Sequence, residues 1–142
     1  MATGTTASSR PTSSLVQTGI TELSNAASAA ARNVTRGPTT LFTITADNQK
    51  TETSNTKVWV KLYDIISNTW TPGTDKAALG FPVEAYVSSA DPDNQGAGTY
   101  QVMHSRSGVQ FEKGISIAGT KEAGDLATAA PGAAFAAELT HS

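Results

Sequence analysis

After Pro38 the apolar and polar residues alternate with a period of two. Residues 40–47 set Phe42, Ile44 and Ala46 on one face and Thr43 and Thr45 on the other, the pattern of a half-buried strand. Residues 56–64 repeat it more strongly, with Val58, Val60 and Leu62 against Lys57, Trp59, Lys61 and Tyr63. The first of these faces belongs to a core. The second mixes aromatics with lysines, so it either packs under a loop or meets a partner. Residues 79–87 alternate Phe81, Val83, Ala85 and Val87, and Pro82, which has no N–H to donate, assigns them to an edge position or a strand start. Shorter strands are predicted at 99–104, 108–111, 114–119 and 133–140. Their inward residues are Tyr100 and Val102, Val109 and Phe111, Ile115 and Ile117, then Phe135, Ala137 and Leu139. Polar stretches at 48–55 and 88–98 and the turn sequence Thr71-Pro-Gly-Thr-Asp75 separate them. Short, evenly spaced strands without a long amphipathic helix predict an all-β protein, an antiparallel β-sandwich of jelly-roll-like form, over residues 37–142.

Residues 1–36 follow another pattern. The first fourteen are small and hydroxylated, with no apolar anchor before Leu15, so they cannot offset their own ordering entropy and are expected to be either a disordered tail or an extended arm held by a partner surface. Leu15, Val16, Ile20 and Leu23 are the apolar residues that such an arm offers. Ile20, Leu23, Ala27, Ala30 and Val34 recur at helical spacing ahead of Gly37-Pro38, which predicts one short helix at about 21–31, in competition with a strand at 31–36.

Composition sharpens this reading by exclusion. The chain has 142 residues, of which 15% are charged, a net charge of −2 and no cysteine. Charge this low and this balanced does not suit a nucleic-acid or anionic-membrane surface. The absence of cysteine removes disulfides, thiol nucleophiles and Cys-based zinc sites. No apolar run reaches the roughly 18 to 20 residues of a membrane span, and the first thirty residues lack the pattern of an export signal.

Candidate chemistry is sparse. The two histidines are His104, at a strand end beside Ser105, and His141, next to the last residue and expected to fray. Neither has a Gly-x-Ser-x-Gly elbow to serve. Asp91-Pro-Asp93-Asn-Gln95-Gly96 begins like a calcium loop, but its twelfth position is Val102 in place of a glutamate. Asn33-Val-Thr35 matches a glycosylation sequon by chance composition, and no spacing brings two carboxylates into one cleft. The chain is therefore expected to be no enzyme and to need no cofactor or metal.

The segments Gly37-Pro-Thr-Thr-Leu-Phe-Thr-Ile44, Val60-Lys-Leu-Tyr-Asp64, Pro72-Gly-Thr-Asp75, Phe81-Pro-Val83, Gly108-Val-Gln-Phe111 and Gly114-Ile-Ser-Ile-Ala-Gly-Thr120 resemble, in order and spacing, small β-rich virion proteins of tailed bacteriophages. The resemblance runs from about residue 36 to the end, with 88–98 as an insertion and no counterpart for the first thirty-odd residues. It implies a virion structural protein made in the bacterial host cytoplasm. The implied role is that of a capsid decoration or cement protein, a homotrimer bound to the major capsid protein or another virion protein. The residues add an expectation of their own: residues 1 to about 30 bind the capsid or a neighbouring copy, and Trp59 and Tyr63 line a subunit contact. A neck or tail position stays open, as does a carbohydrate- or receptor-binding module using the 88–98 loop, Trp70 and Tyr86.

Overall fold

The computed structural model describes residues 15–23, 32–48, 56–66, 73–86, 100–126, 129–131 and 135–142. They form eight strands: β1 (Val16–Leu23), β2 (Arg32–Asn33), β3 (Thr39–Asp47), β4 (Val58–Asp64), β5 (Leu79–Val83), β6 (Tyr100–Phe111), β7 (Ile115–Thr120) and β8 (Phe135–His141). One sheet has the order β1-β8-β3-β6 and the other β2-β7-β4-β5, and all pairings are antiparallel. The pairs β1·β8, β2·β7, β3·β6 and β4·β5 are those of one long hairpin whose tip is the β4–β5 connection, rolled up so that successive pairs fall in alternate sheets. Contacts β3·β8 and β4·β7 then knit each sheet together. This is the jelly-roll arrangement of an antiparallel β-sandwich, as the alternation predicts.

Between the sheets lies a single main core of Leu41, Ile44, Val58, Val60, Leu62, Val83, Phe111, Ile115, Ile117, Phe135 and Leu139 with small Ala46 and Ala137. The inward residues expected of β4, β7 and β8 are all in it. Pro82 stands in β5, an edge strand, opposite Trp59.

Several expectations are corrected. Residues 21–23, placed at the start of a helix, continue β1, because pairing with β8 from Val16↔His141 to Leu23↔Phe135 satisfies the backbone while an alanine-rich helix face would bury little. Residues 24–31 lie outside the described residues. The arm therefore does not extend to residue 36: β1 and β2 belong to the sandwich, and Ile20 and Val34 pack against its core. In β3 the register shifts between Leu41 and Thr43, so Leu41 is fully buried and Phe42, expected inward, is only half-buried. The strands expected at 99–104 and 108–111 are one strand, β6, which carries extra residues between His104 and Val109 opposite that same shift. Gly108 turns the excursion with φ +83°, where a Cβ would stand 2.1 Å from Thr40 Cγ2. Tyr100 and Val102, expected inward, pair with Asp47 and Thr45, and the side chains at 100–104 lie outside the described residues. β5 stops at Val83, leaving Ala85 exposed.

Candidate binding surfaces

The six residues expected to meet a partner divide into three groups. Leu15, just ahead of β1, and Val16, its first residue, are 49% and 46% exposed, among the few large apolar side chains presented to solvent in the described residues. Ile20, farther along the same strand, packs on the core, and Leu23 pairs with Phe135. Trp59 and Tyr63 lie on the outer face of β4 but have different surroundings. Trp59 is half-buried, with Lys57 Nζ 6.0 Å from its ring centroid and Lys57 paired to Glu84 at 3.3 Å. Tyr63 is fully buried within its own chain, so its expected place in a subunit contact is corrected.

What buries Tyr63 is a cover of loop residues over the outer face of the second sheet. Ala77, Ala118 and Ile65 pack around it. The 73–78 and 121–126 segments are tied to each other by Ala77 N–H donating to Asp125 O at 3.2 Å and by the Lys76–Asp125 ion pair at 3.5 Å. Beside Tyr63, Lys61 is 1% exposed, and its ammonium donates to the carbonyls of Ala123 and Gly124. Burial pulls the Lys61 ammonium below its ordinary pKa, with Asp125 acting in the opposite sense. Burial, aided by Asp75 and Asp125, pushes the Tyr63 hydroxyl up to about 12. A lysine–tyrosine pair sealed in this way fastens loops. The sequence signal for it is the alternation that puts Lys61 and Tyr63 on one face, together with the small residues Ser116 and Ala118 opposite them on β7.

Other polar side chains are also committed to the fold. Asp64 accepts from the backbone N–H groups of Glu112, Lys113 and Gly114 at 3.2, 2.8 and 3.3 Å, closing the β6–β7 turn. Partial burial works to raise its pKa, but the three amides and the Lys113 charge outweigh that and hold the carboxyl below its ordinary range. Asn33, the sequon residue, donates its amide to Thr35 O at 3.0 Å and Ser116 Oγ at 3.1 Å inside the β2–β7 junction. His141 is 4% exposed, its Nε2 2.9 Å from Thr18 Oγ1, so this end is locked between β1 and β3 where fraying was expected.

An open cleft of about 220 Å³ lies across β1, β8 and β3, with Gly19, Thr45, Asp47, Ala136 and Glu138 among its lining. Glu138 already accepts from Gln17 Nε2 at 2.8 Å. Among the described residues no group of three His, Cys, Asp or Glu is placed to hold a metal ion. No helix among them is long and apolar enough to cross a membrane. The 88–98 loop with Asp91 and Asp93, and Trp70, lie outside the described residues. Tyr86 is not the exposed aromatic expected, being 8% accessible. Comparison of the chain with protein-family models, with curated proteins and with solved structures finds no match.

Proposed function

We infer that this protein is a structural component of a tailed-bacteriophage virion, a capsid decoration or cement protein that binds the shell of major capsid protein and stabilises the head. The observation that carries the reading is the start of β1. Fourteen hydroxylated residues without an apolar anchor precede it in the sequence, and Leu15 and the first residue of this edge strand, Val16, are exposed. Such a segment gains order only against another surface, and on a particle many symmetric copies turn modest contacts into large total stabilisation. The polar groups that a catalytic reading would need support the same class, since Lys61, Asp64, Asn33 and His141 are engaged in holding loops and strand ends.

The test is a virion carrying the chain without residues 2–14. Loss of the protein from purified particles, together with earlier DNA release on heating, is the expected result. Normal occupancy and normal heat resistance would remove the arm from the reading. A density map of the intact particle that located the protein on the neck or tail would reassign its position.

A further inference from the structure

Among the described residues the sandwich has four strand edges, and three of them are blunted. β2 has only two residues, β5 carries Pro82, and β6 is distorted by the excursion at 105–108 with exposed Arg106. The fourth edge is β1, eight residues long with neither lysine nor proline, and its only charge is Glu22. Its ladder to β8 is regular from Val16 to Ile20 and shifts register between Ile20 and Leu23. The regular stretch Val16–Ile20 carries no charge, and such a stretch at a sheet edge is a template for another strand.

We propose that β1 is a self-association surface, pairing antiparallel with β1 of a second copy about a twofold axis at Thr18, so that two four-stranded sheets become one continuous sheet. The segment is self-complementary in that register. Val16 falls opposite Ile20 of the other copy, Thr18 opposite Thr18, and Gln17 opposite Gly19, beside which a Cβ would meet nothing within 4 Å. Val16, Thr18 and Ile20 are the residues opposite buried His141, Leu139 and Ala137, so the Val16–Ile20 pairs extend the apolar side of each sheet and cover the exposed Val16. Sliding the strands until residue 22 of one copy faced residue 22 of the other would set like charges opposite each other, which disfavours that register. A pairing this short buries less than the roughly 1,200 Å² at which stable interfaces begin, so the free dimer is weak and strengthens where copies are concentrated on a surface.

The absence of cysteine makes the test direct. Under mild oxidation, Thr18→Cys is expected to give a covalent dimer and an exposed control, Lys113→Cys, is not. Gln17→Cys is expected to cross-link when mixed with Gly19→Cys and poorly alone. Sedimentation of the unmodified chain over a concentration series is expected to show a monomer–dimer equilibrium, unchanged by deletion of residues 2–14 and weakened about tenfold by Val16→Asp. A monomer at every concentration with Thr18→Cys no more reactive than the control would overturn the proposal. So would a three-copy mass, or loss of association on deleting residues 2–14, which would make the arm the occupant of this edge. All of these readings are taken without virions, so they fail or succeed independently of the capsid assignment.

Discussion

Tyr63 and Asp64 are neighbours in sequence with opposite electrostatic fates, set by what surrounds each side chain. Tyr63 points into the loop cover, where burial and two nearby carboxylates favour the neutral phenol. Because its folded pKa of about 12 lies above the ordinary tyrosine value near 10, its contribution to stability is complete below pH 10 and is lost as pH rises towards 12. Ultraviolet titration of the native protein is expected to show a late ionisation step that Tyr63→Phe removes; a titration unchanged by that substitution would contradict the sealed environment. Asp64 lies the other way. Its lowered pKa means that its contribution is present above the ordinary carboxylate range near 4 and is lost as pH falls through the folded value. Asp64→Asn is expected to cost about 1–2 kcal/mol at neutral pH, through weaker acceptance from three backbone amides, and less in acid. Urea unfolding of both proteins at pH 7 and pH 3 measures this difference. The alternation of β4 places Lys61 and Tyr63 outward in the sequence itself. That they are buried depends on loops more than ten residues away, which no local pattern encodes.

At the level of the strand, period-two alternation locates β4, β7 and β8 and their inward residues, because a regular strand has only two faces. It fails where the ladder is irregular. In β3 and β6 the shift at Leu41/Thr43 and the matching excursion after His104 reset the phase, so Leu41 takes the core position that a regular strand would give to Phe42. Gly108 holds this irregular place, and Gly114 holds the β6–β7 turn. A Cβ at Gly108 would lie 2.1 Å from Thr40 Cγ2, and at Gly114, with φ +148°, 2.4 Å from the Thr35 carbonyl oxygen. Thr40 can rotate away and a backbone carbonyl cannot. Gly114→Ala is therefore expected to destabilise by about 3 kcal/mol or more and Gly108→Ala by about 1–3 kcal/mol. Gly37→Ala, where a Cβ meets nothing within 4 Å, is expected to stay within about 0.5 kcal/mol of the unmodified chain. Denaturant midpoints of the three variants test that ranking.

In the whole molecule the first and last strands are partners, so the fold is completed only when the chain ends meet. This distinguishes the arm from β1 experimentally. Removing residues 2–14 is expected to leave the thermal midpoint unchanged, whereas removing residues 2–23 also strips β1 from β8 and is expected to cost about 2–4 kcal/mol, through loss of Ile20 from the core and of the Thr18–His141 bond. Equal effects of the two deletions would put the boundary of the arm elsewhere. By itself the sequence determined that the protein is a cysteine-free antiparallel β-sandwich with Pro82 at an edge or a strand start and an anchor-free first segment. Those properties follow from side-chain period, backbone chemistry and composition, all of which are local. Only the tertiary structure decided that residues 16–23 form a strand of that sandwich in place of helix, that Tyr63 faces loops of its own chain, and that β1 lies at a sheet edge with a regular ladder over Val16–Ile20. Each of these depends on which distant segment supplies the backbone partners or the cover, and pairing between chain ends more than a hundred residues apart leaves no mark in either segment alone.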